Sequence, residues 1–194
     1  MSPFELLKRN LQTSIEVKQD FLKNETMLQE FGNAAQALVR AYENGGRLYI
    51  AGNGGSAADA QHLAAEFVSK LARDREPLAA EALTVDSSIL TAIGNDYGFD
   101  KVFSRQIAGK MTSKDVFLGI TTSGKSPNII MALKECRSRG IKTIVFTGHD
   151  GGLAKELADF TIIASGEQTA SIQEVHIVLA HSLCECIENT LFNN

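Results

Sequence analysis

From residue 47 onward the chain alternates short apolar runs with helical patterns, and this alternation constrains the fold more than any other feature. The strand candidates are residues 48–51, 79–85, 116–121, 143–147 and 160–164. They lack a clean two-residue alternation, as expected of parallel strands covered on both faces. Helical patterns at 56–71, 87–93, 101–110, 127–139 and 152–157 fall between them, and a last one runs from 171 to about 190. The order predicts an α/β fold: a doubly wound, five-stranded parallel sheet with helices on both faces.

Two further helices precede this unit, at residues 3–23 and 27–43. Leu6, Leu7, Leu11 and Ile15 mark an apolar stripe on the first; Leu28, Phe31, Ala35, Leu38, Val39 and Tyr42 mark one on the second. Asn44-Gly45-Gly46 ends the second helix. With 194 residues, no repeat and no low-complexity linker, one domain is expected. Residues 1–44 form its helical extension and 45–194 its α/β core.

Composition narrows the function. The net charge is −4, and no basic run or stripe suits nucleic acid. No apolar run reaches the roughly 18 residues that span a bilayer, and the N-terminus lacks the apolar region of a signal peptide. The three cysteines, Cys136, Cys184 and Cys186, are an odd set that points to reduced thiols in the cytoplasm. Cys184-Glu185-Cys186 is too sparse for a zinc knuckle and reads as plain helix.

In a doubly wound sheet, ligands sit beyond the carboxyl ends of the strands. The loops after Ala51, Val85 and Thr121 therefore carry the argument. Gly52-Asn53-Gly54-Gly55-Ser56 leaves a strand and opens a helix, so its amides and the helix N-terminus suit an anion, most plausibly phosphate. It is neither a dinucleotide fingerprint nor a Walker loop, since residue 57 is alanine and no Gly-Lys-Ser/Thr follows. A tight turn capped by Ser56 explains the local sequence equally well. Thr121-Thr122-Ser123-Gly124-Lys125-Ser126-Pro127 repeats the context with four hydroxyls, enough to donate to phosphate oxygens. Here Pro127 fits the first helical position and Ser126 its cap. Gly94-Asn95-Asp96-Tyr97-Gly98 reads as a polar turn before a helix.

The helix after the glycine turn carries His62 and Glu66 on one face. On the last helix Gln173 and His181 lie two turns apart and roughly 80° around, so all four side chains can converge. Two imidazoles, a carboxylate and an amide oxygen suit a borderline divalent ion such as zinc. A lone histidine among apolar neighbours is otherwise a packed core residue. His149 and His176 have no evident partner and read as structural or surface residues.

Taken in order over nearly the full chain, these motifs resemble the sugar isomerase (SIS) fold, a flavodoxin-like arrangement, and within it the bacterial phosphoheptose isomerases. Gly148-His149-Asp150-Gly151-Gly152 and Ile172-Gln173-Glu174-Val175-His176 belong to the same pattern. The resemblance implies one zinc ion per subunit on His62, Glu66, Gln173 and His181. It implies sugar-phosphate contacts from Asn53, Gly54, Gly55, Ser56, Glu66, Asn95, Asp96, Thr121, Thr122, Ser123, Ser126 and Gln173. It further implies catalysis by Glu66 as base and His181 as acid, and a homotetramer with sites at subunit interfaces. The expected reaction converts D-sedoheptulose 7-phosphate to D-glycero-D-manno-heptose 7-phosphate through a cis-enediol, in ADP- or GDP-heptose and lipopolysaccharide core synthesis. The pattern departs at Thr121 and Lys125, where serine and asparagine are more usual. It departs also at Lys70 in place of arginine, and at Gln168-Thr169-Ala170-Ser171, which lacks an Asp-Arg pair.

Two other readings belong beside this one. Some SIS proteins of this shape bind a replication initiator without catalysis, and their tails resemble residues 184–192. They are deficient at the positions of Glu66 and His181, both present here. An isomerase of another sugar phosphate shares the fold but not this set of motifs.

Overall fold

The computed structural model describes residues 1–192. Five parallel strands form one sheet in the order β2-β1-β3-β4-β5. They are β1 (Leu48–Gly52), β2 (Ala80–Ala82), β3 (Val116–Thr121), β4 (Lys142–Gly148) and β5 (Phe160–Ala164). Every residue of β1 and β3 is buried, which explains why neither shows alternation. The chain steps from β1 out to β2 and then crosses to β3 on the other side. The switch point therefore lies between the carboxyl ends of β1 and β3.

The helices are α1 (Pro3–Leu22), α2 (Glu25–Glu43), α3 (Gly55–Val68), α4 (Ser87–Tyr97), α5 (Ser104–Lys110), α6 (Pro127–Ser138), α7 (Ala154–Leu157) and α8 (Thr169–Phe192). On one face of the sheet, Leu48, Ile50, Leu118, Ile120, Ile144 and Phe146 pack with α2, α3 and α8. On the other face, Tyr49, Ala51, Phe117 and Val145 pack with α5 and α6. Alternate residues of each strand thus feed two cores, giving three layers.

Several boundaries differ from those the sequence suggests. The second strand is only three residues long, since 83–86 turn outward into α4. Asp86 caps α4 by accepting from the Ile89 amide at 2.9 Å. The segment 94–97 is no turn: it forms the last turn of α4, and only Gly98, at φ +88°, breaks the helix. Residues 99–101 form a separate 3-10 turn before α5. The helix read at 152–157 shrinks to α7, because Gly151 and Gly152 both take positive φ.

The first helix departs from the ordinary amphipathic pattern. Its N-terminus is closed by a capping box between Ser2 and Glu5. Yet its buried residues are Ser14 and Val17, while Phe4, Leu7, Leu11 and Ile15 are exposed. The helix thus turns an apolar stripe outward rather than toward the core. Helix α4 likewise has no buried residue and is flanked by exposed Val85 and Phe99.

His176 fixes α8 to the sheet. Its ring is 1% exposed, and Nε2 lies 3.0 Å from the Thr147 carbonyl oxygen at the end of β4. Burial lowers its pKa to about 4, against a smaller opposing effect of the Thr147 hydrogen bond. The neutral ring therefore stabilises the fold fully above the unfolded value of about 6.5, and that contribution is lost as pH falls toward 4. Urea titrations at pH 7.5 and pH 5 should show a loss of about 2 kcal/mol from this group. His176→Gln should flatten that slope; an unchanged slope would assign the loss to other groups.

Candidate active site

The loops at the carboxyl edge of the sheet are shaped first by their main chains. Gly52 ends β1 where a Cβ would meet Ser56 at 2.5–2.7 Å, so only glycine lets the chain turn directly into α3. Gly54, at φ +55°, is the residue before that helix. Ser56 is not the cap: it stands inside the first turn and is 4% exposed. The loop presents exposed Gly54 and Gly55 and half-buried Asn53. Asn53 is held across the switch point by Asn128, each amide donating to the other at 2.9 and 2.8 Å. Asn128 is 2% exposed and was not singled out by sequence reasoning. Its signal was a polar residue in the first turn of α6, among positions otherwise filled by Ile129 and Ile130.

The hydroxyl loop after β3 is braced in the same way. Gly124 takes φ +63°, and a Cβ there would lie 2.0 Å from the Gly151 carbonyl oxygen. A Cβ on Gly152 would meet the carbonyl oxygens of Ser123 and Gly124, each at 2.7 Å. The Gly148 amide donates to Thr122 O at 3.0 Å, and the Ala154 amide to Gly124 O at 3.0 Å. The segment 148–152 is thus the main-chain backing of segment 122–124. Ser126 stands at the helix cap, as expected, but its side chain caps nothing. Its hydroxyl lies 3.1 Å from that of Thr121 instead; in the first turn of α6, Pro127 has no amide hydrogen and the Ile129 amide donates to Asn128 Oδ1 at 2.9 Å. A helix N-terminus beside a hydroxyl pair is an environment that suits an anion. Lys125 lies nearby and helps the Gly152 amide hold the Asp150 carboxyl below its usual range.

The metal-ligating types meet where α3 packs on α8. His62 Nε2 lies 3.2 Å from Glu66 Oε1 and 3.1 Å from His181 Nε2. The three ligand atoms lie within 4.8 Å of one another. Zinc bonds of about 2.0–2.1 Å in a tetrahedron place neighbouring donors roughly 3.3 Å apart, so the spacing fits such an ion. The donor chemistry also fits. Two imidazole nitrogens facing each other and a carboxylate are a donor set that a divalent cation satisfies at once, whereas one proton on His62 Nε2 points at only one of its two neighbours. Gln173 lies against Gly55, whose Cβ would fall 2.7 Å from its Nε2. It thus joins α8 to the glycine loop, two helical turns before His62. Asp59, one turn before His62 on α3, was also missed by the sequence reading. Burial holds its carboxyl above the usual range, with His62 pulling the other way.

Asn95 and Asp96 stand apart from this group, exposed on the last turn of α4 with Asn95 Nδ2 donating to Asp96 at 2.8 Å. Lys70 is also exposed and lies 3.3 Å from Asp74.

The chain therefore combines a parallel sheet of this order with braced loops at its carboxyl edge and a His62–Glu66–His181 cluster between α3 and α8, and it is a sugar isomerase (SIS) domain. A family profile described as "SIS domain" matches residues 12–148. Within that class, the chain belongs to the phosphoheptose isomerases and is an isomerase. It is 46% identical over 188 residues to the phosphoheptose isomerase of Aneurinibacillus thermoaerophilus, covering 97% of this chain and 95% of that relative. The structure of the Neisseria gonorrhoeae phosphoheptose isomerase superposes with a TM-score of 0.91 at 41% identity, covering 97% of this chain and all of that one. That from Francisella tularensis superposes at 0.93 with 34% identity, again over 97% and 100%.

The loop bracing gives a direct test. Gly124→Ala adds a Cβ where the main chain of residue 151 already sits and a positive φ is required, a cost of at least about 2 kcal/mol. The melting temperature should fall by several degrees, and inorganic phosphate should protect the variant less than the parent. Equal protection would separate the loop from phosphate binding.

Proposed function

We propose that the chain interconverts D-sedoheptulose 7-phosphate and D-glycero-D-manno-heptose 7-phosphate. The observation that carries this reading is the His62–Glu66–His181 cluster, on a chain that also carries two braced loops at the carboxyl edge of its sheet. The names of the relatives support the substrate. Of the two other readings, the non-catalytic one is disfavoured because Glu66 and His181 are present and brought together.

The hydroxyl loop, with Thr121, Thr122, Ser123 and Ser126, takes the phosphate, and the amides of Gly54 and Gly55 orient the sugar. Ser56 anchors that turn from within. Asn95 and Asp96 reach substrate only if α4 is brought against a site, which is the role we assign to a neighbouring subunit. Glu66 removes the C1 proton of the open-chain ketose, and an enediol forms across C1 and C2. The same carboxylic acid returns the proton to C2, and the hydroxyl proton passes from O1 to O2 with His181 as the acid that serves the oxygens. His62, Glu66 and His181 would hold zinc; Gln173, expected as a fourth ligand, instead lies against Gly55, two helical turns before His62. When bound, the ion supplies Lewis-acid polarisation of the carbonyl. A carboxylate has two oxygens, so one turned toward His62 leaves the other for the substrate.

We further read the assembly as a homotetramer. The support is the outward apolar stripe of α1 and the absence of any buried residue on α4. No described helix is long and apolar enough to cross a membrane. With Cys136, Cys184 and Cys186 all free thiols, we place the protein in the cytoplasm, at the entry to ADP- or GDP-heptose synthesis. That route feeds the lipopolysaccharide core or other surface glycans.

Turnover of sedoheptulose 7-phosphate, followed by NMR, tests the activity. Chelation should abolish it and zinc should restore it, whereas activity indifferent to chelation would remove the metal from the reaction. Glu66→Gln should lower kcat by about 10²–10⁴-fold, the range for a general base. Near-normal turnover by that variant would sink the base assignment. Light scattering should give four times the mass of the 21.0 kDa chain.

A further inference from the structure

A buried ion pair outside the cluster ties together the two helices that build it. Arg75 and Glu188 have side chains 1% exposed, and Arg75 Nη2 lies 2.9 Å from Glu188 Oε1. Arg75 comes from the loop after α3, and Glu188 from α8, seven residues beyond His181 and so on nearly the same helix face. The remaining donors of the guanidinium close the end of α3. Nη2 donates to the Glu66 carbonyl oxygen at 3.0 Å and Nη1 to that of Phe67 at 2.7 Å. These are among the last four carbonyls of the helix, which have no acceptor role within it. Helix α3 has no basic residue in its own last turn, so Arg75 supplies that charge from outside. Glu188 in turn accepts from the amides of Leu71 and Ala72 at 3.0 and 3.2 Å, fixing the loop that delivers Arg75.

The contacts form a closed circuit. The Glu66 side chain meets His62, and His62 meets His181 on α8. Seven residues along α8, Glu188 holds Arg75, and Arg75 holds the main chain of Glu66 itself. A buried ion pair is often no more stabilising than well-packed apolar side chains of similar volume, because both ions lose their hydration. Stability alone therefore does not account for placing one here.

We infer that Arg75 and Glu188 are positioning residues of the active site: they clamp the last turn of α3 against α8 and so set the spacing of His62, Glu66 and His181 for a divalent ion. The inference rests on the metal-site reading above. Neither residue touches substrate; both act through Glu66 and His181.

The test uses the full chain stripped of metal, as wild type, as Glu188→Gln and as the apolar pair Arg75→Met/Glu188→Leu. Far-UV circular dichroism and melting establish which variants are folded. Co²⁺ is then titrated by its visible absorption, and kcat and KM are measured with zinc restored. Folded variants should bind Co²⁺ about tenfold more weakly and lose about tenfold in kcat, with KM moved less than twofold, as for other residues that orient metal ligands. Folded variants with wild-type Co²⁺ affinity and kcat would overturn the inference. Should neither variant fold, hydrogen exchange on the wild type decides. Co²⁺ should slow exchange in residues 66–72 along with the segment around His181, and protection confined to the latter would overturn it. A wild-type protein that neither binds Co²⁺ nor turns over substrate would overturn the metal-site reading itself, and this inference with it. That result is distinct from failure of the variants alone.

Discussion

The packing of α3 on α8, on one face of the sheet, is the contact on which the site depends. Gln173 meets Gly55 near the start of α3, His181 meets His62 in the middle, and Glu188 reaches Arg75 at the end. Each rung of this ladder needs the one before it in register. A helix fixes its side chains at about 1.5 Å per residue along the axis, so once two rungs are set the third follows. The sheet below supplies the third dimension: His176 holds α8 to the end of β4, and Leu48, Ile50, Leu118 and Ile120 carry α3 and α8 on one continuous apolar surface.

The second half of the site follows different physics. The loops after β1 and β3 are organised by close main-chain approach rather than by helix register. Gly52, Gly124 and Gly152 each stand where a Cβ would collide with backbone. Rigid loops at a switch point can aim amides at an anion without reorganising when it arrives, which is how preorganised donors act most strongly.

The sheet was legible in the sequence because buried parallel strands are continuous apolar runs, and 116–121 matched β3 in both boundaries. The pairing of His62 with Glu66 was legible because four residues make one helical turn. Their meeting with His181 was suggested by the chemistry of the set and by the family resemblance; no spacing connects residues that are 119 apart. Asn128, Arg75 and Glu188 were invisible for a related reason. Their partners lie 75 and 113 residues away, and a buried Asn or an Arg–Glu pair looks, in one dimension, like any surface residue. The polar segment 94–97 was misread because Gly94 and Asn95 are poor helix formers, yet Asp86 caps the start and Gly98 ends it. The stripe on α1 was seen correctly as a stripe, but periodicity reports that a face is apolar and not whether the covering surface belongs to the same chain.

The bracing of the hydroxyl loop by residues 148–152 has a consequence for how such a site changes over time. Its shape is written in carbonyls and amides, which every amino acid shares, and in a few glycines, which none can replace. Side chains add to that frame at a few points: Thr121 meets Ser126 at 3.1 Å, Ser123 accepts from the Lys125 amide at 3.2 Å, and Asp150 accepts from the Gly152 amide at 3.0 Å. Serine and threonine can be exchanged at position 121, and a charge can arrive at position 125, while the cradle keeps its form. The geometry thus rests on the glycines at positions 124 and 152, where any side chain would meet backbone, and the chemistry of the loop rests on the residues between them.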